Sequence, residues 1–246
     1  PGISRVISGI STRNLCSMNG MVDQYMVTEK SRDGMRIQFR YEISDNYYVW
    51  QKYVNGAAIP SDHALAYKLY DKVEDVLKQI IKPDMTDYEK ELAIHDYIVV
   101  HCQYGYVESS KDYAYRAYGA LVQNKAVCNG YAEAMALLMT CVGIENQIVT
   151  GTADNELHAW NQVCLDGDWY QVDATWDDPV WDNLGRVKHT YFMISDATLL
   201  SLDSDRTDYV TSVPYGYTYT KATDSRYESG FWSGVQTYMY PCNGDW

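Results

Sequence analysis

Cys128 stands at the head of the run AVCNGYAEAMALLM (126–139), two residues before Gly130 and directly ahead of a dense series of helix formers. A helix beginning there leaves its first backbone N–H groups without partners and sets the positive end of its dipole beside the sulfur, so a thiolate is stabilised. Gly130 reads as clearing the approach of a bulky carbonyl to that sulfur. Cys141 has no such setting and reads as a small buried side chain.

The second chemical element is HAWNQVCLDGDWYQVDATW, two strands joined at Asp166-Gly167, a turn signal suited to a two-residue loop. If Leu165 faces Asp168, then Trp160 faces Asp173 and His158 faces Thr175. His158 and Asp173 become diagonal neighbours on one face, and a loop longer or shorter by one residue would send them to opposite faces. A sulfur, an imidazole that takes its proton and passes one to a leaving amine, and a carboxylate that fixes the imidazole tautomer make a nucleophilic triad. Cys128, His158 and Asp173 fill those roles in order.

His95, His101, His63 and His189 compete for the histidine role. His95 and His101 fall on a helix and read as structural, whereas His63 and His189 have no carboxylate at a countable position. Trp160 and Trp176 flank the proposed site and could wall it from water, which strengthens charge interactions inside; Trp176 reads equally well as a core aromatic. Asp177-Asp178 invites a calcium reading but lacks further acidic ligands at recognisable spacing.

The elements that must position these groups follow from periodicity. RIQFRYEI (36–43) alternates as a strand, and NYYVWQKYV reads as its hairpin partner. Leu65, Leu69, Val73, Val76, Leu77 and Ile80 recur at helical spacing until Pro83 stops the pattern. Thr86 and Glu89 form a capping-box signature opening a second helix that runs to about Cys102. A loop with a short helix at RAYGALVQ precedes the Cys128 helix, which Gly143 is placed to cap. ENQIVTG, HAWNQVCL, WYQVDATW and TYFMIS read as strands, and a tail rich in Tyr, Thr, Ser and Gly from about Asp203 as short strands and loops.

Composition narrows the function. Lys plus Arg total 20 against 33 Asp plus Glu, a net charge of −13, with no basic cluster to neutralise phosphates, so no nucleic-acid partner is expected. No apolar run reaches the ~18 residues of a membrane span. The chain opens at Pro1 without a starting methionine or signal peptide and reads as processed or trimmed. The acidic charge with 24 Tyr and 7 Trp points to a secreted or cell-surface protein. Six cysteines show neither CxxC pairs nor metal-type spacing with His. No metal or cofactor is expected, and with Cys128 kept for chemistry at least one further thiol must be free, which argues against a dense disulfide framework.

VCNGYAEA, HAWNQV and DGDWYQVDATWD together resemble the transglutaminase-like superfamily, in which a Cys opens a helix, a His followed by Ala-Trp-Asn sits on the next long strand, and an Asp follows Trp-Tyr on its neighbour. EKELAIHDYIVVHCQY and HTYFMISD are similar to flanking segments of bacterial members, so the resemblance runs from roughly 62 to 200. It implies an α+β, papain-like fold with the nucleophile helix packed on an antiparallel β-sheet. A β-rich N-terminal extension (1–60), the core (61–202) and a Tyr-rich C-terminal extension (203–246) would form one compact unit.

The resemblance further implies thioester chemistry on peptide or protein amides, with a cell-wall or surface protein among the candidate substrates, and with hydrolysis favoured over crosslinking. Peptide:N-glycanase-type deglycosylation and a non-catalytic binding module are the other readings. An oxyanion hole, where one donor contributes about 2.7–4 kcal/mol in comparable acyl transfers, would use the Cys128 N–H. A second donor is expected from the turn bearing Gln103 and Tyr104, the place where bacterial members supply a polar side chain.

Overall fold

The structure is a computed structural model and describes residues 20–31, 34–106, 111–178, 186–203, 206, 219–228 and 237–239. In chain order its elements are β1 (Val22–Ser31), β2 (Gly34–Ile43), α1 (Asp45–Asn55), α2 (Ala64–Ile80), α3 (Asp87–His101), β3 (Gln103–Tyr104), a 3-10 turn (Lys111–Tyr115), α4 (Ala117–Val122) and β4 (Lys125–Ala126). Then follow α5 (Cys128–Cys141), β5 (Glu145–Ala153), β6 (Glu156–Leu165), β7 (Asp168–Val172), α6 (Ala174–Asp177), β8 (Arg186–Lys188), α7 (Asp196–Leu202) and β9 (Thr237–Met239). The fold is α+β.

Helix α5 is the axis of the molecule. Every residue from Gly130 to Met139 is buried, as is Cys141, which requires partners on all sides of the helix. The antiparallel sheet β5-β6-β7 covers one side, and α1, α3 and α4 pack around the rest. The small residues Ala132 and Ala136 meet Ile148 and Ala159 of the sheet, and the Asn161 amide donates to the Ala132 carbonyl at 3.0 Å. Trp160, next along β6, belongs to a separate apolar cluster with Val149, Ile194 and Leu199.

The β6-β7 hairpin has the expected register, from Leu165 opposite Asp168 to Asn161 opposite Val172. Both turn residues, Asp166 (φ 54°) and Gly167 (φ 89°), are left-handed, the backbone a two-residue hairpin of this twist requires. The second helical pattern is α3, and its Thr86–Glu89 capping box is present in full: Thr86 Oγ1 accepts the Glu89 N–H at 3.2 Å, and the Glu89 carboxylate accepts the Thr86 N–H at 2.7 Å.

Three local expectations are corrected. NYYVWQKYV is not a strand: residues 45–55 form α1, and the partner of β2 is β1, paired from Val22–Ile43 to Ser31–Gly34. Tertiary packing of Val49 in the core overrides the β-propensity of the Tyr, Val and Trp side chains, and Gly56 (φ 68°) stops the helix in a left-handed cap. TYFMIS contributes one bridge, Ile194 to Gln171, instead of a strand. The strand read through WYQVDATW ends at Val172, because Asp173 turns out of the ladder to cap α6. Most of the tail read as strands and loops, including Pro214 and Pro241, lies outside the described residues.

Gly130 is also required for a different reason from the one expected. A Cβ there would lie 2.4 Å from the Ala114 carbonyl oxygen and 2.7 Å from Ala126 Cβ, so the glycine lets the chain at 114–116 cross α5 directly. Replacing it with alanine forces backbone apart. Gly130→Ala should therefore destabilise the fold by about 1–3 kcal/mol, read as a lower denaturation midpoint in urea; an unchanged midpoint would show that this crossing is not tightly packed.

Candidate active site

The lead-in to Cys128 is tied from two sides. β3 runs parallel to β4, with Gln103 opposite Lys125 and Tyr104 opposite Ala126; the Gly105 N–H donates to the Ala126 carbonyl at 2.8 Å, and the Val127 N–H to Ala114 at 2.9 Å. Val127 is the N-cap residue without a side-chain cap, so Cys128 takes the first helical position among N–H groups that lack intrahelical partners. Its side chain is half-buried, against the seam of Ala132, Ala136, Ile148 and Ala159.

His158 lies on β6 opposite Gly151 and is buried. Its Nε2 is 2.7 Å from Asp173 Oδ2, and Cys128 is near enough to its ring to strengthen its hold on a proton. With Nε2 committed to the carboxylate, Nδ1 is the atom left for the sulfur. The structure therefore brings Cys128, His158 and Asp173 together. The contact differs in one detail from the diagonal strand pair read from the hairpin, since Asp173 sits one residue beyond the ladder, where its Oδ1 accepts the Trp176 N–H at 3.1 Å.

Burial alone would push the His158 ring toward its neutral form. The charge of Asp173, its hydrogen bond and the one to Cys128 overcome that and raise the pKa to about 9, against a smaller lowering by Arg206. Asp173 shows the reciprocal balance: burial opposes its ionisation, but His158 and Arg206 hold it well below the usual carboxylate range.

Arg206 is the component that sequence reasoning missed. It is fully buried, its Nη2 lies 2.5 Å from Asp173 Oδ2 and its Nε 3.0 Å from Asp203 Oδ2. Its guanidinium carbon stands 4.1 Å from the ring centre of Trp176, 5.0 Å from Trp160 and 5.2 Å from Tyr191. An arginine in a segment without periodicity gives no sequence signal for this; only the need of a buried carboxylate for a cation hints at it.

The tryptophans line the other sides of the histidine. Trp160 is buried, stacks on His158 (ring centres 5.7 Å apart, 18° between planes) and donates its Nε1–H to Gln171 at 2.8 Å. Trp176 is tilted over the same ring at 5.6 Å. Tyr104 is 58% exposed, and burial and then the charge of Cys128 raise its pKa. Gln103 precedes it on a strand and points to the opposite face.

The remaining histidines are placed elsewhere, and three of them, His63, His95 and His189, meet carboxylates. His63 Nδ1 meets Asp45 at 3.0 Å, and His189 Nε2 meets Asp96 at 2.7 Å. Asp96 also takes His95 Nδ1 at 2.9 Å, while His95 Nε2 faces Asp177 at 3.2 Å. His95, Asp96 and His189 could offer three ligand atoms within 4.8 Å, but Asp96 already hydrogen-bonds both rings. Asp177 accepts the Tyr191 N–H and Asp178 the Tyr131 hydroxyl, so both are engaged in holding the fold. Cys102, Cys128, Cys141 and Cys164 are free thiols, with Cys141 pushed up to about 12 by burial; Cys16 and Cys242 lie outside the described residues.

Residues 74–174 match the family model of the transglutaminase-like superfamily. This segment is similar to a transglutaminase-like core. The human kyphoscoliosis peptidase is 27% identical over 126 residues, 46% of this chain and 19% of its own length, and the mouse protein 26% identical over 125 residues. The chain thus spans about a fifth of the length of these curated relatives. Among solved structures, one described as a candidate cysteine protease from Cytophaga hutchinsonii is 16% identical, with a TM-score of 0.37, over 63% of this chain and 64% of that one. A TGase structure is 18% identical, with a TM-score of 0.39, over 70% and 49%.

The raised pKa of His158 fixes the sign of a stability effect. A group raised on folding stabilises fully below its unfolded value, ~6.5, and loses that contribution as pH climbs through about 9. Urea unfolding of the wild type and His158→Gln should differ by up to about 3 kcal/mol at pH 6, and the gap should close by pH 10. A gap independent of pH would mean that the ring is not held as a cation.

Proposed function

We propose that this chain is a transglutaminase-like cysteine enzyme that forms a thioester with a peptide or protein amide and passes the acyl group to water, acting as a peptidase or amidase. The observation that carries the reading is the ordered contact of a helix-opening sulfur, an imidazole and a buried carboxylate: Cys128, His158 and Asp173. A second support is the transglutaminase-like core over 74–174.

In this mechanism the Cys128 thiolate, paired with the His158 imidazolium, attacks the amide carbonyl. The Cys128 N–H and the Tyr104 hydroxyl donate to the oxyanion, with Gln103 supporting the strand that carries Tyr104. Nδ1 of His158 gives its proton to the leaving amine, the C–N bond breaks, and the thioester remains. His158, now neutral, takes a proton from water, the hydroxide adds to the thioester, and collapse releases the acid and the thiolate. Asp173 keeps Nε2–H directed away from the sulfur throughout, while Trp160 and Trp176 exclude water from the ion pair.

Attack by a primary amine in place of water would make the same site a crosslinker, and an asparagine-linked glycan as leaving group would make it a deglycosylase. Hydrolysis is preferred because the kyphoscoliosis peptidases, whose name denotes peptide cleavage, are the matched curated relatives. The acidic, Tyr-rich composition goes with a secreted or cell-surface location for this chain. No helix among the described residues is long and apolar enough to cross a membrane.

Iodoacetamide at pH 6 tests the reading, because an ordinary thiol is almost entirely protonated there. One thiol should label at least tenfold faster than the rest and disappear in Cys128→Ala. A casein digest should then yield new carboxyl termini, with little incorporation of a fluorescent primary amine. Uniformly slow thiols would favour a binding module, and dominant amine incorporation would favour crosslinking.

A further inference from the structure

The family match ends at residue 174, yet the carboxylate of Asp173 shares one oxygen between His158 and a cation from 32 residues beyond that boundary. We infer that Arg206 is a positioning residue for the triad: it fixes the carboxylate oxygen that His158 bonds and sets a buried positive charge beside it. This rests on the triad reading above and adds to it a device supplied by the C-terminal segment.

The geometry carries the argument. Oδ2 of Asp173 receives His158 Nε2 at 2.7 Å and Arg206 Nη2 at 2.5 Å, while Oδ1 is taken by the Trp176 N–H. A carboxylate tied at both oxygens cannot rotate, so the imidazole is aimed. Arg206 is itself immobilised, stacked on Trp176 and bonded through Nε to Asp203.

The charges facing His158 are those of Cys128 on α5, Asp173 at the start of α6 and Arg206; behind Arg206 stand Asp203 after α7 and the phenol of Tyr191. Without Arg206, Asp173 would place its whole charge on His158, and the buried Asp203 would add to it. The ring would then bind its proton too tightly to deliver it to a leaving amine. The opposing effect of Arg206 on His158 noted above has the sign this account requires. Asp203 dilutes Arg206, so the two residues should move His158 in opposite directions.

The rate of Cys128 alkylation by iodoacetamide against pH reads this directly. It should rise in two steps, the first as the thiolate–imidazolium pair forms and the second as His158 loses its proton and releases a freer thiolate. Arg206→Met, which retains bulk against the tryptophans, should shift the second step up by about one pH unit, Arg206→Lys should bring it back to within a few tenths of a unit, and Asp203→Asn should shift it down. If Arg206→Met does not fold, Arg206→Gln is the neutral variant read in its place, with the same upward shift expected. A second step that stays in place in the folded variants overturns the role of Arg206 and leaves the triad intact; a wild type without the low-pH step overturns the proposed function itself.

Discussion

The contact between His158 Nε2 and Asp173 Oδ2 is the interaction on which the rest of the site depends. It joins a strand to the N-cap residue of a helical turn, commits one ring nitrogen, and so leaves the other for the sulfur. Both partners are buried, and either alone would be expensive to desolvate. Their contact offsets that cost and, against burial, favours the charged imidazole and the ionised carboxylate. The surrounding aromatic rings and the guanidinium of Arg206 complete a box in which every formal charge has a counter-charge.

Helix α5 has to deliver the sulfur to that box, and its burial on all sides does so. Small residues, Ala132, Ala136 and Ala159, let the helix lie close to the sheet, and Gly130 lets the chain at 114–116 cross its first turn. A second buried network, Asp96 with His95 and His189 and His95 with Asp177, ties α3 to the segment that carries Tyr191 and to α6. Asp177 follows Asp173 by one helical turn, so this network braces the acid of the site from behind.

How far the site was legible depended on the range of the interactions involved. The Asp166-Gly167 turn fixed the β6-β7 register, and with it the approach of His158 to Asp173, because a two-residue loop allows one pairing. The start of α5 at Cys128 and the capping box at Thr86 were equally local. Helix α1 departs from the sequence reading because Tyr47, Tyr48, Val49 and Trp50 look like strand residues; the burial of Val49 and the left-handed Gly56 after Asn55 outweigh them. The break of β7 at Val172 was hidden by the apolar residues that follow. Arg206 and the Asp96–His189 pair, separated by 93 residues, depend on tertiary packing alone.

The central claim is that the His158 ring is a cation held between a sulfur and a carboxylate at neutral pH. Its two ring nitrogens can be observed directly by 15N NMR of the labelled protein at pH 7.5, assigned by the signals lost in His158→Gln. The account predicts shifts of a doubly protonated imidazolium, persisting until the pH approaches about 9. A neutral ring at pH 7.5, protonated on one nitrogen only, would contradict it.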